Sequence, residues 1–63
     1  MKRFDDVKVG EIFTFNGKPF VRCAPVKDEN GDYWNAMRLD IMGVNFHFYN
    51  EEWVNDTPYM GKE

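Results

Sequence analysis

The chain has no serine, and among its 63 residues there is one cysteine and one histidine. Without serine there is no Ser-based nucleophile, and one Cys with one His cannot fill a structural zinc site. A lone Cys23 cannot close an intramolecular disulfide, so a reducing cytoplasm is the expected compartment. Purely apolar runs are two or three residues long, far short of a membrane span. The opening Met1-Lys2-Arg3-Phe4-Asp5-Asp6 meets two carboxylates before any apolar run, unlike a signal peptide. The expectation is a soluble cytoplasmic domain without membrane contact. At this length it is one small domain, with little room for a deep catalytic pocket. An enzyme is the least expected class, and no cofactor or metal is implied.

What the chain does carry is aromatic. Hydrophobic residues are 43%, aromatics 17% and charged residues 30%, which describes a folded domain rather than a disordered segment. Aromatic side chains bury roughly 150–250 Å² each, so a few of them build a core without disulfides or metal. The net charge of −3 is uneven. Residues 1–27 hold six basic and three acidic side chains, and residues 28–63 hold two and eight. An acidic second half argues against broad phosphate-backbone binding and allows a basic protein partner.

Glycines separate short alternating runs, the spacing of an all-β meander. Glu11 to Phe15 reads as a strand with Phe13 and Phe15 on one face, and Asn16-Gly17 as a type I′ hairpin turn. Lys18 to Cys23 returns, Pro25 to Asp32 forms a longer polar tip, and Tyr33 to Leu39 is a third strand. After a turn at Asp40 to Gly43, Val44 to Tyr49 alternates with Val44, Phe46 and Phe48 inward and Asn45, His47 and Tyr49 outward. Asn50 to Val54 is either one helical turn near the C-terminus or a fifth short strand. Residues 1–54 form a single small β domain and 55–63 a loose C-terminal tail. Four to five short strands share one core only by curling, so the expected fold is all-β, a small SH3-like barrel or a strongly curved antiparallel meander. Phe13, Phe15, Phe20, Phe46 and Phe48 fill that core, helped by Ile12, Val21, Leu39 and Val44, with Cys23 as a small buried hydrophobe.

The pattern Phe4-x-Asp6-x-x-x-Gly10-x-x-Phe13-x-x-Asn16-Gly17-x-x-Phe20-x-Arg22 resembles the opening of small proteins common in phage and prophage genomes. Asn35-Ala36-Met37-Arg38-Leu39 to Gly43, then Phe46 to Val54, is similar to their second half. The resemblance covers most of residues 4–54, through turn and core positions. It therefore implies a fold, and a phage origin would imply a small host-directed binder.

Candidate sites are few. Asp28 to Asp32 mimics a calcium loop, but Tyr33 stands at the glycine position and Leu39 at the bidentate glutamate position. Asn55-Asp56-Thr57 matches a glycosylation acceptor by chance. Catalysis by Cys23 with His47 lacks an orienting third group. The surplus aromatics remain: Tyr33, Trp34, Tyr49, Trp53 and Tyr59 cannot all enter the core. The expected partner-binding set is Tyr33, Trp34, His47, Tyr49 and Trp53 with Glu51 and Glu52, a surface for a partly basic protein. The second reading is a nucleic-acid-binding barrel that stacks bases on these rings, with Lys18, Arg22, Lys27 and Arg38 as its basic rim. Homo-oligomerisation through exposed strand edges is compatible with either.

Overall fold

A computed structural model describes residues 1–55. The order is β1 (Lys2–Arg3), a 3-10 turn (Phe4–Asp6), β2 (Ile12–Phe15), β3 (Lys18–Lys27), β4 (Tyr33–Arg38), β5 (Asn45–Phe46) and β6 (Trp53–Val54). Asn16 and Gly17 both take positive φ, 54° and 76°, so the residues that tolerate the left-handed region form the expected hairpin turn. β2 to β5 make a four-stranded antiparallel meander in chain order, while β1 and β6 form a separate antiparallel ribbon. One bridge joins the two: Thr14 and Asn55 exchange backbone hydrogen bonds of 3.0 and 2.9 Å.

Among the described residues the sheets do not close into a barrel. β1, β5 and β6 are two residues each, too short to carry a ladder around the core. Two other expectations change. The second strand runs to Lys27, because a register irregularity between Arg22 and Val26 absorbs Cys23 to Pro25, where proline lacks a ladder donor. Asn50 to Val54 resolves into a turn followed by β6, the strand alternative. The expected loose tail and Tyr59 fall on residues 56–63, outside the described residues. No helix among those described is long and apolar enough to cross a membrane.

Phenylalanine builds the core. Phe4, Phe13, Phe20 and Phe48 are fully buried with Val7, Ala36 and Val54, and Phe15 packs against them. Phe46 stacks its edge on Phe20 at 5.2 Å yet stays 39% exposed at the sheet edge. Ile12 and Leu39, expected as core helpers, are exposed, and Val21 and Val44 are half-buried. Their places are taken by Phe4 and Val7 from the 3-10 turn and Val54 from the ribbon. The turn is held by Phe4 N–H donating to the Glu52 carbonyl at 2.7 Å. It is also held by Arg22, whose Nη1 donates to the carbonyls of Phe4 (2.8 Å) and Val7 (2.6 Å) while its guanidinium lies 4.4 Å over the Phe4 ring.

Glu11 fixes the approach to β2. Its Oε1 accepts the Lys8 N–H at 2.8 Å and its Oε2 accepts from Lys2 Nζ at 2.9 Å. The Lys8 amide, then Lys2, holds its carboxyl below the usual carboxylate range. A folded-state pKa depressed below the unfolded value adds stability above the unfolded pKa of about 4.3, and this is lost as pH falls through the folded value. Thermal melts of the wild type and Glu11→Gln should therefore differ at neutral pH and converge in acid. A constant gap across that range would refute the assignment.

Candidate functional site

Side chains alternate along each strand, so the register that turns Phe13 and Phe20 inward turns Ile12, Val21, Met37 and Asn45 outward. These four lie in one row, Ile12 opposite Val21, Val21 opposite Met37, and Met37 opposite Asn45. Ile12 is 42% and Met37 38% exposed, a level at which an apolar side chain is covered on one side only. Next to this row the Leu39 N–H donates to the Pro19 carbonyl at 3.0 Å, leaving Leu39 exposed. Met42, in the following loop, is 98% exposed. Met37, Leu39, Met42 and Asn45, with Arg38 and Asp40, line a shallow groove of about 530 Å³. At its edge Arg38 grips Asp40 in a two-pronged pair of 2.8 and 2.7 Å. The guanidinium lowers the Asp40 carboxyl, and the carboxylate raises Arg38.

The opposite end of the same side is aromatic. Tyr33 faces Lys27 across β3 and β4, with the ammonium 5.8 Å from its ring centre. Pro25, Tyr33, Asn35 and His47 enclose a second groove of about 330 Å³. Tyr49 packs edge-on to His47, their ring centres 5.0 Å apart. Beyond lies the acidic tip, where Asp28 Oδ1 accepts the N–H of Asn30 (2.9 Å) and Asp32 (3.0 Å). The Asp28 carboxylate is thus taken up by amides of its own turn.

Of the residues expected to bind a partner, Tyr33, His47 and Tyr49 come together here. Trp34 does not join them: it is half-buried and alternates onto the side of Ala36 and Arg38. Trp53 is 59% exposed but belongs to the ribbon, opposite Arg3. Glu51 is exposed in the turn before β6, near enough to Arg3 to favour its charge. Glu52 serves the fold, its Oε1 accepting the Tyr49 N–H at 2.9 Å while its own N–H donates to the Tyr49 carbonyl at 3.0 Å. Half of the supposed basic rim is committed elsewhere, and of the rest Lys27 stands beside the Tyr33 ring while Lys18 is exposed at the hairpin. Arg22 is turned onto backbone carbonyls and Arg38 is paired with Asp40.

The outward apolar row is not the core that hydrophobicity alone suggests for Ile12, Val21 and Leu39. The signal was present in adjacent apolar pairs, Ile12-Phe13 and Phe20-Val21, which a two-residue period must split between opposite sides. Among the described residues no His/Cys/Asp/Glu group is arranged to hold a metal. Cys23 is half-buried, and burial pushes its thiol pKa up, away from nucleophilic thiolate chemistry. Comparison with family models, curated proteins and solved structures found no match to this chain.

Proposed function

We propose that the chain is a small non-enzymatic protein-binding module that docks through Tyr33, His47 and Tyr49, with the acidic tip alongside to meet a basic surface. One observation carries the reading: the core is filled by phenylalanine, while the described tyrosines, Tyr33 and Tyr49, stay 54% and 64% exposed. Tyrosine combines a large apolar body with a hydrogen-bonding tip, the character of interface anchors. Nucleic-acid binding is less favoured, because two of the four basic residues it would use, Arg22 and Arg38, have protein partners, which leaves Lys27 beside Tyr33 and Lys18. In its most specific form the reading is a phage-encoded cytoplasmic domain of SH3-like design that modulates a host protein. The resemblance of most of residues 4–54, at turn and core positions, to the opening and second half of small phage-type proteins is what suggests that version.

Affinity capture from bacterial lysate, with and without nuclease, tests it. A stoichiometric protein partner should survive nuclease, and Tyr33→Ala or Tyr49→Ala should each weaken capture about tenfold, the size of a modest hot spot. Both variants should melt at the wild-type temperature, since both side chains are mostly in solvent. Trp53→Ala, on the other sheet, should leave capture unchanged. Capture that disappears with nuclease, or oligonucleotide binding that falls steeply with salt, would replace this reading with nucleic-acid recognition.

A further inference from the structure

The apolar half of the outward side stands apart from the aromatic end and is not used by the proposed docking site. Pro19, Leu39 and the row of Ile12, Val21, Met37 and Asn45 carry no charge in a chain that is 30% charged, and the two charged residues lining the adjoining groove, Arg38 and Asp40, are paired with each other. Depletion of charge at an exposed apolar surface is the compositional mark of an interface core, and contiguous patches of this kind seldom stay uncovered. We propose that this surface pairs with the same surface of a second copy of the chain, forming a two-fold dimer.

Charge and area argue for that occupant. A basic partner would gain nothing from a neutral patch, whereas a second copy offers an identical neutral, apolar one. In a two-fold interface the same patch serves both subunits. The like charges of two −3 chains are kept apart. The acidic tip of Asp28, Glu29 and Asp32 lies at the far end of β3, and ten strand residues put about 30 Å between it and the Pro19 end. At the near end Asp40 is neutralised by Arg38. Covering Ile12, Val21, Met37, Leu39 and Met42 on both copies removes on the order of 1,000 Å² of surface, the lower bound for a specific interface. The expected dimer is therefore weak and concentration-dependent, and it leaves Tyr33, His47 and Tyr49 at the rim of each copy.

Sedimentation equilibrium of the full chain, from micromolar to millimolar concentration, tests the proposal. The mass should rise from 7.5 kDa to twice that value. Met42→Glu sits on an exposed loop where it does not threaten folding, and Met37→Lys places a charge in the central row. Each should weaken association about tenfold or more. Tyr49→Ala should leave it intact, which separates this interface from the proposed docking site. A chain that stays at 7.5 kDa throughout, association unaffected by both methionine substitutions, or association lost with Tyr49→Ala would each overturn the proposal.

Discussion

Phe48→Ala should leave the chain without a cooperative folded state at room temperature. The Phe48 ring lies 5.1 Å from those of Phe4 and Phe15, 5.2 Å from Phe20, 5.3 Å from Phe13 and 5.6 Å from Phe46. It links the N-terminal turn, both strands of the first hairpin and the sheet edge. Removing a fully buried phenylalanine costs about 3–5 kcal/mol, counting both the lost transfer energy and the cavity. A core of this size rarely supplies more than about 3–5 kcal/mol in total. The substitution therefore consumes most or all of the stability, and no second hydrophobic cluster stands behind it among the described residues. The measurement is a urea or thermal transition followed by near-ultraviolet circular dichroism, where the wild type should show one step and the variant none. Phe46→Ala is the internal comparison. It removes the same atoms from a side chain 39% exposed, so it should cost distinctly less and leave the transition visible. If Phe48→Ala melted within a few degrees of the wild type, the phenylalanine cluster would not be what holds the domain together.

The parts of this architecture that were readable in advance are those set by neighbours in sequence. Asn16-Gly17 encodes its own turn, because few other residue pairs accept positive φ twice in succession. The alternation of Phe13 and Phe15, and of Asn45, His47 and Tyr49 against Phe46 and Phe48, is likewise local. Phe4, Val7 and Val54 were not readable as core. Their burial depends on β1 meeting β6, a pairing between Lys2 and Val54 that no local pattern announces. The bulge was hidden for a related reason, since Cys23 to Pro25 show as irregular only once β4 sets the register. Arg22 looked like a candidate phosphate ligand and proved to be a clasp, because an arginine's role depends on which carbonyls lie within reach of its five N–H donors.

The candidate site divides along the same line. Tyr33 and His47 share the outward side through strand alternation, and Tyr49 reaches them through its edge contact with His47. Trp34 and Trp53 were grouped with them on residue type, which carries no information about side or sheet. Trp34 is one residue away from Tyr33, and that single step sends it to the other side of β4. The acidic residues repeat the lesson: Glu52 and Asp28 spend their carboxylates on backbone N–H groups, and Glu51 is the one of the two expected glutamates left exposed.

Asn35 is the position where a one-atom change should have a disproportionate effect. Its amide takes the place of a missing stretch of ladder beyond β5: Nδ2 donates to the Phe48 carbonyl at 3.0 Å, and Oδ1 accepts the Phe48 N–H at 2.9 Å. The side chain is buried, so water cannot replace either bond. Leaving a buried donor or acceptor unpaired costs about 1–3 kcal/mol each. Asn35→Leu, which abandons both, should therefore cost roughly 2–6 kcal/mol, at every pH alike. Asn35→Asp changes one atom and behaves differently. Its carboxylate can still accept the Phe48 N–H but confronts the Phe48 carbonyl with a negative charge and no donor. Burial and that carbonyl both disfavour ionisation, so the new carboxyl's folded-state pKa lies above the unfolded value of about 3.9. The sign follows: the ionised form is penalised above the raised pKa, and the penalty is relieved as pH falls through it, when the neutral acid again donates to Phe48. The stability gap between Asn35→Asp and the wild type should thus be wide at pH 7 and narrow in acid; it closes in the same direction as the Glu11→Gln gap, but because the variant is relieved of a penalty rather than because the wild type loses a contribution. Chemical denaturation of the three proteins at several pH values reads this directly. A gap for Asn35→Asp that does not change with pH would mean the amide is not bridging the Phe48 backbone.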